Sequence, residues 1–253
     1  MWRGDYLYLI ENLVVKDFKI RYRNMSLGVL WSLLNPLVMM TVYLFVFTQI
    51  FENPMPHYPL FLLCGMVPFN FFTVAWAAGT NSIVENAGLI KRVPVPREII
   101  PITTVISCCI HLLVQVVLLL TVAMLSGMGF NRYWLWLPVI GALEILFVCG
   151  LALLSSAVNV FIRDTRYVVE SATWVLMFLI PVFYDFSRVP ERYSAILDSN
   201  PVAATVISLR KIVYEAKPPV PLTLFKLVGA SLTVFLIGLW FFRKMKPAFY
   251  EHI

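Results

Sequence analysis

MSLGVLWSLLNPLVMMTVYLFVFTQIF, residues Met25–Phe51, contains no charged residue. A helix rises about 1.5 Å per residue, so this run is long enough to cross a hydrocarbon layer roughly 30 Å thick. Lys16, Lys19, Arg21 and Arg23 stand immediately before it. A basic cluster flanking a long apolar run sets which side of the membrane the chain starts on. Within the run, Asn35-Pro36 predicts an interruption of the helix. Tyr43, Phe47 and Phe51 recur every four residues and therefore form a stripe on one helical face.

The same pattern recurs through the chain, of which 60% is hydrophobic and only 13% charged. Soluble domains carry about 25% charged residues, so the composition is that of an integral membrane protein. Charge-free runs of this length fit helices, whose backbone bonds are made internally, and not the short alternating segments of a barrel. The net charge of +6 reflects basic loops on one side, with no nucleic-acid motif accompanying it. Cys64, Cys108, Cys109 and Cys149 all fall in apolar runs, which argues against a disulfide framework and for small core residues. No His or Cys at ligand spacing suggests a metal. The first residues, MWRGDYLYLIENLVVKD, carry acids and lack the apolar core of a signal peptide.

In order along the chain, residues 4–20 predict an amphipathic helix with Tyr6, Leu9, Ile10, Leu13, Val14 and Phe18 on one face, lying in the membrane interface. Six spans follow: 25–51, 59–84, one within 99–129, 135–160, a short one at 167–184, and 221–242. Between the last two, residues 185–219 read as two short amphipathic helices, Val189–Leu197 and Val202–Val213, forming an external re-entrant hairpin around Asn200 and Pro201. The whole is one all-α membrane domain: 1–22 the interfacial helix, 25–184 spans one to five, 185–219 the gate hairpin, 220–253 the last span and tail. Six spans put both termini on one side. Thirteen of the 20 Lys and Arg residues then lie on the side of the termini, which makes that side cytoplasmic. No internal repeat of the kind that builds secondary carriers is present.

Motifs for chemistry are scarce. There is no phosphate-binding G-x-x-x-x-G-K-[ST], so the chain cannot bind ATP by that route, and there is neither H-E-x-x-H nor G-x-S-x-G. Two ionisable residues, His111 and Glu144, fall within spans. Each is open to two readings, a proton relay or substrate contact on one hand and a packing hydrogen bond on the other. Trp31, Tyr43, Phe47 and Phe51 in the first span, and Trp174, Phe178, Phe183 and Tyr184 in the fifth, are candidates to line a passage for a sugar polymer, since aromatic faces stack on sugars without demanding one hydroxyl pattern. They equally fit ordinary lipid-facing aromatics. A membrane enzyme acting on lipid-linked sugars would need clustered carboxylates or histidines, and Asp164 and Glu170 are separated.

Four segments together carry a resemblance: KDFKIRYRNMSLGVLWSLLNPL (16–37), ENAGLIKRVPVPRE (85–98), VNVFIRDTRYV (158–168) and SNP…LRKIVYE (199–215). The chain resembles the permease subunit of ABC type-2 exporters, in particular those exporting O-antigen, capsular or teichoic-acid polysaccharides. The resemblance implies a homodimeric channel, no enzyme activity or cofactor on this chain, and ATP and Mg bound by two separate ATPase subunits, with or without a carbohydrate-binding domain. It implies contact with those subunits through Glu85, Lys91, Arg92, Arg97, Arg163, Asp164 and Arg166. Lys19, Arg21, Arg23, Lys91 and Arg92 become candidates for the lipid head group at the cytoplasmic face, and Asn200, Pro201 and Arg210 belong to the gate hairpin. Membrane lipids are the other partners, and the location implied is the bacterial inner membrane. A drug or smaller lipid is the alternative cargo.

Overall fold

The computed structural model describes residues 6–21, 28–50, 55–93, 95–186 and 200–252, with 190, 192 and 197 besides. Among them the protein is helical throughout: α1 (Tyr6–Arg21), α2 (Trp31–Phe45), α3 (Tyr58–Glu85), α4 (Ala87–Arg92), α5 (Ile99–Leu125), α6 (Leu137–Phe161), α7 (Thr165–Leu179), α8 (Pro201–Leu209), α9 (Pro221–Met245) and α10 (Phe249–His252). Among the described residues four helical segments are long and apolar enough to cross a membrane: Tyr58–Glu85, Ile99–Leu125, Arg132–Phe161 and Pro221–Ala248. The second, third, fourth and sixth predicted spans correspond to these.

The first predicted span differs from expectation. The helix continues without a break through Asn35-Pro36, although Pro36, in the second turn of α2, has no amide to donate to the carbonyl four residues back. The irregularity comes later, where Val46–Ile50 winds as a π-helix. The fifth predicted span is short, as expected, but α7 stops at Leu179 and the chain from Ile180 to Tyr184 is irregular. The basic loop after α3 also holds a short helix, α4, that periodicity did not indicate.

Helix α3 is the central post. Phe61, Phe72, Leu60, Leu62 and Leu63 on it are all fully buried, which makes it a helix apolar on every side and surrounded by others. It meets α6 along a seam of small residues. A Cβ built on Gly79 would lie 2.5 Å from that of Ala152, and the closeness lets Thr80 and Ser155 share a 2.7 Å hydrogen bond. Asn159 donates to the Thr80 carbonyl at 3.1 Å. Small residues allow such backbone approach in lipid, where no hydrophobic force drives helices together. The pair α6–α9 is closer still: a Cβ on Gly150 would come within 2.6 Å of the Phe235 backbone, and one on Gly238 would run into the Gly150 carbonyl. Gly127, at φ +80°, closes the end of α5, with the Met128 amide reaching back to Ala123 and the Gly127 amide to Met124.

Both terminal segments lie at one end of the bundle. On α1, Leu13 is buried and Leu9, Ile10, Val14 and Phe18 are half-buried, as are Lys16 and Asp17. Lys16 bonds Asn86 at the α3–α4 junction, and Thr104 of α5 donates to Asp17 at 3.3 Å. At the same end, α10 folds back beneath α6. The other end carries the segment after α8, a π-turn Arg210–Tyr214, where Tyr214 donates to the Pro56 carbonyl at 2.7 Å and Asn131 to that of Ile212 at 3.2 Å. The predicted first hairpin helix, Val189–Leu197, falls largely outside the described residues. The second is present as α8, capped by Asn200, whose side chain accepts from the Val202 amide at 3.0 Å, with Pro201 as its first residue.

Candidate functional site

Three of the eight predicted passage aromatics meet. A cavity of about 370 Å³ lies between α2, α3 and α7, walled by Tyr43 and Met39, by Met66, Phe69, Asn70 and Thr73, and by Thr173, Trp174 and Met177, with Val182 and Phe183 closing it. Tyr43 and Phe183 touch, ring centroids 4.6 Å apart. Trp174 is 67% exposed, so the cavity opens along its indole to the outside of the chain. The lining is mainly apolar, with Asn70, Thr73, Thr173 and the Tyr43 hydroxyl as its hydrogen-bonding groups. That combination of ring faces and few polar groups is chemically suited to a molecule with an extended apolar face and scattered hydroxyls.

Three of the other aromatics lie apart from it. Trp31 and Phe178 are exposed on α2 and α7. Tyr184 turns back to donate to the Leu179 carbonyl at 2.9 Å. Of Phe47 only the backbone is described, within the π-helix, and Phe51 lies outside the described residues.

Arg210 is the most constrained of the hairpin residues. It is buried, its guanidinium donates to the carbonyls of Val182 at 2.6 Å and Tyr184 at 3.1 Å, and it stacks 3.6 Å over the Phe61 ring. Gly65 makes room for it: a Cβ there would stand 2.9 Å from the Val182 carbonyl and 3.2 Å from Arg210. Gly65 is two turns into α3, so this lock sits about 10 Å below the end of that helix. Sequence reasoning placed Arg210 in the hairpin but not its partners. The available signal was an arginine directly after the apolar run VAATVISL, where a charge that is drawn into the interior must find buried acceptors.

At the end that carries the terminal segments, Lys19, Glu85, Lys91, Arg92, Arg163, Asp164 and Arg166 are all exposed. Arg21 is described in its backbone alone, and Arg23 lies outside the described residues. Arg97 differs from these. It is buried and donates to the Lys246 carbonyl at 2.7 Å. Its neighbour Glu98 receives Lys246 Nζ at 2.8 Å. Burial alone pushes the Glu98 carboxyl up, but the Lys246 hydrogen bond, its own backbone amide and the charges of Lys246 and Arg243 outweigh it and hold the carboxyl below its ordinary value.

Of the two ionisable residues inside spans, Glu144 is buried on α6 with Oε1 lacking a hydrogen-bond partner among the described residues. His111 is half-buried on α5. Among the described residues no group of three His, Cys, Asp or Glu side chains is placed to hold a metal, and Cys64, Cys108, Cys109 and Cys149 form no disulfide there.

Comparison with known proteins bears on the whole chain. An O-antigen export system permease protein RfbA of Klebsiella pneumoniae is 31% identical over 254 residues, covering 96% of this chain and 95% of the relative. A protein of the same name from Myxococcus xanthus is 27% identical over 98% and 96%, and the polysialic acid transport protein KpsM of Escherichia coli is 26% identical over 94% of each. The family model for ABC-2 type transporters matches residues 8–214. It therefore takes in α1, the α2–α3–α7 cavity and the Arg210 lock. A family of this kind implies a transport subunit, not an enzyme, working with an ATPase partner subunit. By that match, and by an apolar, multi-helix architecture suited to repeated membrane crossing, the chain belongs to the ABC-2 type transporter membrane family.

Proposed function

We propose that this chain is the permease subunit of an ATP-driven exporter that moves a lipid-linked polysaccharide of the O-antigen type across the bacterial inner membrane. The observation that carries the reading is the cavity between α2, α3 and α7, where Tyr43, Phe183 and Trp174 offer ring faces and Asn70, Thr73 and Thr173 offer polar contacts. Near full-length similarity to polysaccharide-export permeases supports it.

In this reading α2 with its π-helical continuation, and α7, complete six spans. α1 lies in the cytoplasmic interface and both termini are cytoplasmic. The irregular chain from Ile180 and the π-turn at Arg210 form an external re-entrant gate, supported by the lock lying about two turns below the start of α3. Backbone at that depth is tolerated because it is enclosed by protein and bonded by Arg210. Two copies form the channel, and α2 and α7 line their junction. This chain needs no cofactor: ATP and Mg are held by two ATPase subunits, with or without a carbohydrate-binding domain. Closure of those subunits pushes on α1, on the 85–98 segment and on the 162–166 loop. Lys91 and Arg92, with Lys19, Arg21 and Arg23, attract the diphosphate head group or anionic lipid. The copies part along α2 and α7, the head group crosses, and the polymer follows past the aromatic faces.

A teichoic acid, drug or smaller lipid is the alternative cargo, and the largely apolar lining of the cavity is what favours it. The two are separated in cells lacking the protein. Polysaccharide export predicts undecaprenyl-linked polymer accumulating inside, restored to the surface by re-expression together with the ATPase. Normal surface polysaccharide in those cells sinks the reading.

A further inference from the structure

The segment after α9 does more than end the chain. Lys246–Ala248 makes one 3-10 turn and α10 folds back under the bundle. Phe249 is fully buried there and packs edge-on against Phe242 of α9, ring centroids 5.2 Å apart, and against Phe161, the last residue of α6, at 5.9 Å. His252 meets the same Phe161 ring at 4.7 Å. Around Phe249 a small second core forms, separate from the main one. It takes Ile90 from α4, Val95 from the following loop, Ile100 from α5 and Val160 from α6. On its other flank the segment holds the 95–98 loop by two polar ties, Arg97 to the Lys246 carbonyl and Lys246 Nζ to Glu98.

One short stretch thus grips two loops that are far apart in sequence. The 95–98 loop is held through Lys246, and the 162–164 loop is held through Phe161 at its root. The exposed charges beside these loops, Lys91 and Arg92 at the end of α4, Arg163 and Asp164 in the second loop and Arg166 in the first turn of α7, rim the same end of the molecule. We propose that Lys246–His252 is a tie that makes these two loops a single rigid platform for the ATPase subunit, so that one push displaces both together. This rests on the permease reading above. It adds a positioning role for Phe249 and Lys246, which touch neither nucleotide nor cargo. The physical reason is that a buried ring shared by two loop roots transmits displacement, whereas two independently hinged loops absorb it.

The test uses the full permease with its ATPase subunits, with spin labels at Val93 and Arg163, both exposed. In the parent complex the inter-label distance distribution should be narrow and the same with and without ATP. Phe249→Ala should broaden it and lower ATP-driven export about tenfold, and Phe249→Leu should restore both. If Phe249→Ala does not accumulate, Arg97→Ala with Glu98→Gln, which cuts the polar ties and leaves Phe249 in place, should broaden the distribution in the same way. A distance that changes on ATP binding in the parent, or an unchanged distribution in the variants, overturns the tie. Failure of the parent chain to bind any ATPase subunit would instead overturn the permease reading, which keeps the two failures distinct.

Discussion

Replacing Arg210 with Met removes the gate lock while keeping the side chain long and flexible. Arg210 donates two hydrogen bonds from a charged group, each worth about 1.5–3 kcal/mol, to the Val182 and Tyr184 carbonyls, and its stacking on Phe61 adds about 1 kcal/mol or more in a desolvated site. Against this stands relief from burying a guanidinium, a penalty of several kcal/mol in itself. The net expectation is about 3 kcal/mol of lost hold on the irregular chain between Ile180 and Tyr184, or roughly a hundredfold in a local opening constant. Hydrogen exchange of the purified protein in micelles reads this directly. Amides in 180–184 and 201–214 should exchange about a hundredfold faster, and those of α3, α5 and α6 at the parent rate. Arg210→Lys, which keeps the charge but not the fork, should fall between. Gly65→Ala, which sets a methyl against the Val182 carbonyl, should reproduce the pattern with Arg210 intact. Unchanged exchange in the hairpin, or acceleration spread evenly over the molecule, would refute the idea of a local lock.

Tyr43→Ala and Trp174→Ala should each cut polymer export several-fold with the permease–ATPase complex still assembled, and parental export from both would mean those rings face lipid only. Gly238→Ala should destabilise the protein by about 1–3 kcal/mol, since the new methyl runs into the Gly150 carbonyl; a thermal midpoint in micelles equal to the parent's contradicts that. Glu98 is held below its ordinary value of 4.5 in the folded protein, so its contribution is present above that value and fades as pH falls through the lowered one. Because the ion pair is partly exposed, the effect is below about 1 kcal/mol: Glu98→Gln should be slightly less stable than the parent at pH 7 and indistinguishable from it well below pH 4.5, and a gap that persists in acid would assign the loss to something other than charge. Glu144→Gln should export at the parental rate, because energy enters from the ATPase subunit; abolished export would reinstate a proton relay through the buried carboxyl.

The apolar periodicity made most of the helices legible, because in lipid a span is little more than a length of uncharged sequence. The bounds of α3, α5 and α9 follow from where charges and turn residues stop the run. What local pattern could not supply was pairing. Gly150 and Gly238 look like any other helix glycines until their helices cross. Arg210 was visible as an oddity, yet its acceptors are bare carbonyls more than two dozen residues earlier. Pro36 misled, since a proline signals a break on average and its cost depends on which turn it occupies. The cavity was half legible: the four-residue spacing of the aromatics put Tyr43 and Trp174 on faces, but that Phe183 would turn in against Tyr43 depended on α7 ending at Leu179. The fold-back at Lys246-Pro247 carried a turn signal, and nothing in the sequence told where Phe249 would land.

The contact between α6 and α9 limits how such a machine can work. Where two backbones touch through glycine there are no side chains left to change rotamer, so neither helix can slide or roll against the other without collision. With α3 keyed to α6 by Gly79 and Ala152, these three helices form a chassis. In the export cycle proposed above, movement then falls to the parts bolted to its outside, α2 and α7 as the swinging leaves and the hairpin as the bolt between them.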